Sequence, residues 1–367
     1  MKAITQIKLS KKKLVSLFSD HVKSAEAINL VYVSDKEPGI VRISKRGTFS
    51  YLYSKTKITD ANTLTRIKSL VLPPAWRHVW ICQKENGHLQ ATGIDGKNRK
   101  QYKYHPLWNT LRNHTKFYHL YHFGKALPMI RKQIACDLNK PGLPLQKVLA
   151  AVVSVMQHTC TRIGSSQYEQ LYGSFGLTTL KDNHVSLNEG SLRFSFIGKK
   201  GVHQDITLKN KRLVNIVKQC RDIPGKELFQ YYDDQGLRHP IDSGMLNGYI
   251  KQISGGQFTA KDFRTWEGTL HAIEAFKGLG GCDTVTGIRK NIVTALDMVA
   301  KKLGNTRAVC KKYYVHPIVI DHYTNNTISR YLEKMSAHEC EGQTGLNNAE
   351  QVLMRMLKKE GRVVIAA

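Results

Sequence analysis

The hydrophobic pattern of this chain shifts from mainly strand-like in its first third to mainly helical from Pro144 onward, and that change limits the folds open to it. Between Leu30 and Thr92 the apolar residues alternate with polar ones in short runs: Leu30–Val33, Gly39–Ile43, Thr48–Tyr53, Val79–Cys82 and His88–Thr92. Gly, Pro and Asp separate the runs, and alternation of this kind predicts strands of a small antiparallel sheet. Asp60–Leu70 reads as a helix opened by an Asp or Asn cap and stopped by Pro73-Pro74, which cannot donate to a helical ladder. From Pro144 onward the helical period dominates. Helices are expected over Leu145–Thr161, Lys209–Cys220, Ser243–Ile253, Thr265–Phe276, Gly287–Leu303 and Asn347–Lys359, and one beginning at Tyr168–Tyr172. His184–Leu187, Leu192–Ile197 and Ile206–Leu208 are expected strands, with Gly198-Lys199-Lys200-Gly201 at the tip of a turn. Residues 1–28 read as one or two short helices, with Leu14, Val15, Leu17 and Phe18 forming an apolar face. The pattern therefore predicts an α+β fold, with an N-terminal β-sheet-rich domain over 1–110 and a mainly α-helical domain over 111–367. The second domain has a small β-hairpin region around 184–208. At 367 residues the chain is long enough for two cores.

Charge narrows the partner. Lys and Arg outnumber Asp and Glu by 56 to 28, a net charge of +28, which favours a polyanion through counterion release. The excess is concentrated from Lys97 to Gln133, where no Asp or Glu occurs. There Lys97, Arg99, Lys100, Lys103, Arg112 and Lys116 are interleaved with Tyr102, Tyr104, Trp108, Phe117, Tyr118, Tyr121 and Phe123. Cations that track phosphates beside rings that can meet bases are the footprint of a nucleic-acid surface. No long apolar run and no basic amphipathic helix points to a membrane. The seven cysteines are scattered and include no CxxC pair, which argues against a zinc site or a disulfide framework and fits a reducing cytoplasm. The N-terminus lacks the apolar core of a secretory signal, and a cytoplasmic location is expected, on the nucleoid if the host is bacterial.

Late in the chain, KKLGNTRAVCKKYYVHPIV holds Tyr313 and Tyr314 between lysines and His316-Pro317. A phenol is a poor nucleophile at neutral pH unless cations favour its ionised form. Three basic landmarks stand upstream: Arg162 in CTRIGSSQY, Lys199 in FIGKKG and Arg264 in AKDFRTWEGT. One tyrosine with two arginines and a lysine is what metal-free cleavage of a phosphodiester requires. Taken singly, each is also an ordinary surface cation or half-buried ring. No carboxylate cluster or His/Cys ligand set is evident beside them, and no GxxxxGK[ST] phosphate loop occurs, so neither metal nor ATP nor any other small-molecule cofactor is expected.

At these motifs the chain resembles the type IB DNA topoisomerases, in particular the compact group of poxviruses and many bacteria. The likeness runs from about Val31 to about Pro317 and includes LPPAWRHVWIC, GHLQATGIDGKNRKQYKYHPLW, RIGSSQYEQLYGSFGLTTL, FSFIGKKG, FTAKDFRTWEGT and LGNTRAVCKKYYVHP. It implies that Tyr314 is the nucleophile, that Arg162 and Arg264 brace the phosphate, and that Lys199, the first lysine after Phe-x-Gly, protonates the leaving oxygen. The fifth catalytic position, histidine in poxvirus enzymes, is Asn305 here, a neutral hydrogen-bond donor. The family's DNA contacts fall on Arg99, Gln101, Tyr102 and Tyr104, and on Tyr168. The resemblance further implies a monomer that closes on double-stranded DNA as a C-shaped clamp, with lobes joined near 105–120. Its activity would be relaxation of positive and negative supercoils through a 3′-phosphotyrosyl intermediate. The alternative is a tyrosine recombinase or integrase, which shares the catalytic set. Those enzymes typically carry His-x-x-Arg where this chain has Lys261-Asp262-Phe263-Arg264. A non-catalytic DNA-binding protein using the basic face alone would not need Tyr314.

Overall fold

The computed structural model describes residues 6–9, 16–17, 20–45, 47–256, 258–333, 345–359 and 363–366. The chain forms two compact units, Met1–His119 with Gly361–Ala367, and Leu120–Glu360.

The first unit is built on a six-stranded antiparallel sheet. Its strands are β2 (Ile40–Lys45), β3 (Thr48–Tyr53), β4 (Thr56–Lys57), β5 (Arg77–Ile81), β6 (Leu89–Ile94) and β7 (Lys100–Tyr104), in the order β4-β3-β2-β5-β6-β7. Ile40, Val79, Ile81 and Ala91 bury one face against Ile67 of the helix Ala61–Ser69. That helix is capped as its sequence predicts: the Asp60 carboxylate accepts from the Thr63 amide at 2.7 Å. The proline turn after it is held from the side: the Arg42 guanidinium, 9 % exposed, donates to the carbonyls of Leu72, Pro73, Pro74 and Trp76 at 2.7 to 3.4 Å. Trp76 in turn lies against Gly93, where a Cβ would come within 2.7 Å of the ring. The LPPAW and GIDG motifs are thus two sides of one contact.

Three expectations fail in this unit. Gln6–Leu9 is a strand (β1), not a helix, and pairs antiparallel with the C-terminal strand Val363–Ala366; Leu14, Val15 and Phe18 lie outside the described residues. Leu30–Val33 makes only a single bridge, Val31 to Gly87, because its side chains pack into two different small cores. Within the basic patch, Lys100–Tyr104 forms the edge strand β7, and Trp108 and Phe117, like Phe123 of the second unit, are buried and unavailable to bases.

The sequence places the junction of the lobes at 105–120. There the chain is helical: Pro106–Leu138 is one helix, and the division between the units falls at His119 and Leu120. In the second unit the helix Leu145–Thr159 is buried on nearly every side. Its valines disfavour an isolated helix, so tertiary packing decides its conformation. Around it lie the helices Ser166–Tyr172, Lys211–Arg221, Ser243–Ser254, Ala260–Leu279, Val285–Leu303, Arg307–Tyr313, Pro317–Thr324 and Asn348–Lys359. A three-stranded sheet joins them: β8 (Val185–Asn188), β9 (Ser191–Ile197) and β10 (His203–Lys209), with β9 in the middle. The last helix buries Val352, Leu353, Met356 and Leu357, as its pattern predicts, and packs on Ala260–Leu279. Glu350, fully buried, fixes it: its carboxylate accepts from Arg131, from the Trp266 indole at 3.0 Å and from the Asn347 amide at 2.8 Å. Among the described residues no helix is long and apolar enough to cross a membrane.

Candidate active site

Four backbone devices in the second unit bring the landmark side chains together. The first is the end of the helix Leu145–Thr159. Cys160 takes the left-handed conformation, and the chain turns out so that Arg162 follows two residues later. That segment is held by Leu177 N–H on the Arg162 carbonyl (2.9 Å) and Thr178 N–H on Ile163 (2.7 Å). Gly164 and Gly176 lie back to back, and a Cβ on Gly176 would fall 2.4 Å from the Gly164 nitrogen. This contact explains the glycine after Arg162-Ile163.

The second device is the start of the helix Ala260–Leu279. Asp262 closes a capping box with Thr259, accepting from its amide at 2.8 Å and its hydroxyl at 3.0 Å, which sets Arg264 one turn inside. Arg264 is 5 % exposed and donates to the carbonyls of Cys160 and Leu303, the latter at 2.9 Å.

The third is the C-terminus of Val285–Leu303. Gly304, left-handed at φ 59, ends the helix, and Asn305 follows. Arg162 donates to the Asn305 side-chain oxygen and to the Gly304 carbonyl at 3.4 Å. The Asn305 Nδ2 and the Arg264 Nε are both buried without a hydrogen-bond partner among the described residues.

The fourth places the tyrosine. Arg307–Tyr313 is a short helix, and Tyr314 caps it. The Arg264 guanidinium carbon lies 5.3 Å from the centre of the Tyr314 ring. Tyr313 is exposed, whereas Tyr314 is half-buried. The His-Pro pair that follows is a helix start: His316, fully buried, accepts from the Ile318 amide at 3.1 Å and Pro317 takes the first helical position.

Lys199 stands in the turn between β9 and β10, where Lys200 and Gly201 both adopt positive φ. Its Nζ lies 5.9 Å from the centre of the Tyr168 ring. Partial desolvation, then the charges of Arg162, Lys200 and Arg264, hold its ammonium below the ordinary lysine range. Burial and the neighbouring Arg264 bring Arg162 down to about 10, so it remains a cation at neutral pH. The helix bearing Tyr168 is tied down by Lys181, which pairs with Glu169 at 2.8 Å and Glu227 at 3.0 Å.

The expected DNA contacts on the first unit lie on β7. Tyr102 is exposed and stacks on half-buried Tyr104 at 6.0 Å with planes 8° apart. Asp95 gathers the other two: its carboxylate accepts from Arg99 Nε at 2.8 Å and Gln101 Nε2 at 2.9 Å, and the Arg99 side chain, with the backbone amides of Arg99 and Lys97, holds it down at about 2.

Several functional neighbours had no role in the sequence reading. Gly268 and Thr269, within the quoted FTAKDFRTWEGT, both touch the Tyr314 backbone. One further cluster was not grouped by the sequence. Cys160, Glu267 and His271 bring one ligand atom each to within 4.8 Å of one another, and the Cys160 carbonyl is bonded to Arg264. The sequence hides this because Cys160 is far from the other two along the chain.

Comparison with known proteins identifies the family. Residues 100–340 match the family described as eukaryotic DNA topoisomerase I, catalytic core, and residues 48–95 match the bacterial DNA topoisomerase IB N-terminal domain. The chain is 32% identical over 296 residues to DNA topoisomerase 1B of Acanthamoeba polyphaga mimivirus, covering 78% of this chain and 88% of that protein. It is 23% identical over 242 residues to DNA topoisomerase I of Monkeypox virus, covering 64% of this chain and 72% of that protein. The same figures hold for DNA topoisomerase 1B of Vaccinia virus (strain Copenhagen).

Proposed function

This chain belongs to the type IB DNA topoisomerases, and from that premise we propose that it relaxes positive and negative supercoils by transient cleavage of one strand through Tyr314. The observation that carries the reading is the set of buried donors around that tyrosine. Among the described residues, Arg264 Nε and Asn305 Nδ2 are buried without hydrogen-bond partners; the Arg264 guanidinium lies against the Tyr314 ring, and Asn305 is bonded to Arg162. A buried unsatisfied donor costs about 1–3 kcal/mol, a cost that a bound phosphate oxygen would remove.

In this reading the Tyr314 oxygen attacks the phosphorus, its proton leaves to solvent, and the bond from phosphorus to the 5′ oxygen breaks. Arg162 and Arg264 offer planar forks to the non-bridging oxygens, which suits charge that reorganises in the transition state. Asn305 adds one neutral donor. Lys199 delivers a proton to the departing 5′ oxygen, and its depressed pKa makes it a better acid than an exposed lysine. The resulting 3′-phosphotyrosyl ester conserves the energy of the broken bond, so the freed 5′ hydroxyl reseals the strand without ATP. Arg99, Gln101, Tyr102 and Tyr104 would contact the duplex from the first unit, and Tyr168 from the second.

The test is relaxation of negatively and positively supercoiled plasmid in EDTA without ATP. The wild type should relax both, and Tyr314→Phe neither. Joining of strands between separate sites would instead favour a recombinase. Equal behaviour of the two proteins would remove Tyr314 from the chemistry.

A further inference from the structure

Cys160 holds an uncommon backbone conformation, left-handed at φ 55, although it is not a glycine and is 3 % exposed. Such a conformation is disfavoured for most side chains and persists only where its surroundings impose it. Here both ends of the residue are engaged. Its carbonyl accepts from Arg264, and its sulfur lies 3.8 Å from His271 Nε2. The other ring nitrogen, Nδ1, is 3.0 Å from the Glu274 carboxylate. Against the cost of burial, the Cys160 and Glu274 contacts raise this imidazole to about 10, so the metal-free ring carries a proton on Nε2 as well. Loss of that proton to an incoming ion would leave the Nε2 lone pair facing the thiol with the carboxylate holding Nδ1–H, the arrangement commonly found behind metal-bound histidines. Glu267 stands one turn before His271 on the same helix, a spacing that puts both side chains on one face. The three ligand atoms lie within 4.8 Å of one another. A cavity of about 450 Å³, lined in part by Glu267, His271 and Glu274, opens beside them.

We propose that Cys160, Glu267 and His271 bind a divalent transition-metal ion of the zinc class, with a water from the cavity as fourth ligand. A tetrahedral ion with metal–sulfur and metal–nitrogen bonds of about 2.3 and 2.0–2.1 Å separates those two ligand atoms by roughly 3.6 Å. The observed 3.8 Å needs little adjustment. Thiolate and imidazole select zinc-class ions, whereas Mg2+ and Ca2+ require oxygen ligands. Binding releases to solvent the protons of the Cys160 thiol and of His271 Nε2, with any that Glu267 holds, and the thiolate and the Glu267 carboxylate balance the charge of the ion. The ion touches no scissile phosphate. It ties the segment that leads into Arg162 to the helix that carries Arg264, and so acts as a clip on the arginine pair. The site is a stabilising one, and the ion takes no chemical part in the metal-free cleavage proposed above.

The test uses the full chain, stripped with chelator and kept reduced with a phosphine, titrated with Co2+ alone and then with Zn2+. The expected result is one ion per chain, a sulfur-to-cobalt charge-transfer absorption that Zn2+ abolishes, and a rise in Tm on binding. Glu267→Gln, which keeps the shape of the side chain, should retain the sulfur band and weaken Co2+ binding at least about tenfold. Cys160→Ser should lose the band, and Cys282→Ser should behave as wild type. Absence of the sulfur band in the wild type, its survival in Cys160→Ser, or unchanged affinity in Glu267→Gln would overturn the proposal. In that event Cys160 and His271 share only a hydrogen bond.

Discussion

The hydroxyl of Thr269 lies 3.2 Å from the main-chain carbonyl of Tyr314 and accepts the His316 amide at 3.1 Å, so one side chain clasps the backbone on both sides of the tyrosine. Thr269 is itself fully buried and also donates to the Thr265 carbonyl. Thr269→Val keeps the shape and removes these bonds, leaving a buried amide without its partner. The expected loss is about 1–3 kcal/mol of stability. Because the orientation of Tyr314 loosens as well, single-turnover cleavage should slow roughly tenfold for each ~1.4 kcal/mol of lost positioning. Gel-shift affinity for DNA should not change.

Gly268 is the adjoining constraint. A Cβ there would lie 2.8 Å from the Tyr314 carbonyl oxygen and 3.2 Å from its Cβ. The first contact is with backbone, which cannot swing aside as a side-chain tip can. Gly268→Ala should therefore push Tyr314 away from Arg264 and cut the cleavage rate by more than about tenfold, a barrier of about 1.4 kcal/mol. Pre-steady-state cleavage of a short duplex measures this directly, with binding again as the control.

The pH dependence should report Lys199. A general acid works in its protonated form, and desolvation with neighbouring cations lowers the pKa of this one. Cleavage should fall as pH rises through that depressed value, at lower pH than an exposed lysine would give. Lys199→Ala should slow cleavage and remove this alkaline limb. A leaving strand whose 5′ oxygen is replaced by sulfur, a far better leaving group, should restore much of the lost rate in the alanine variant.

Glu350 carries much of the attachment of the last helix. It is fully buried and receives a bidentate ion pair from Arg131, whose side chain is 24% exposed. Glu350→Ala would leave the Trp266 indole without its acceptor and deprive Arg131 of its carboxylate, leaving it, among the described residues, the Gly345 carbonyl alone. Removing one partner of a buried pair costs about 3–5 kcal/mol. Urea denaturation should show a correspondingly lower midpoint, and cleavage by the folded fraction should be retained.

Much of this architecture was legible because the chain obeys local rules. Asp60 before Ala61–Ser69 and the alternation in Thr48–Tyr53 each announce the element that forms. The landmarks Arg162, Lys199, Arg264 and Tyr314 were visible through their motifs, since each motif is a backbone device: a glycine pair, a β-turn, a capping box, a His-Pro helix start. What stayed hidden depends on partners far along the chain. Gln6–Leu9 becomes a strand only because Val363–Ala366 comes back to pair with it. Trp108 and Phe123 looked like base-stacking rings because the acid-free composition around them hides the apolar face of a helix. Thr269 and Cys160 act through contacts spanning 45 and 111 residues, which no local pattern encodes.

The most direct measurement is capture of the covalent intermediate. A duplex whose 5′-hydroxyl strand diffuses away after cleavage is incubated with the protein in EDTA, denatured and digested, and the DNA-bearing peptide is sequenced by mass spectrometry. The account predicts one adduct, a 3′-phosphate ester on Tyr314, absent from Tyr314→Phe and retained in Tyr313→Phe. An adduct on Tyr313, a 5′ linkage, or cleavage without any covalent product would contradict it.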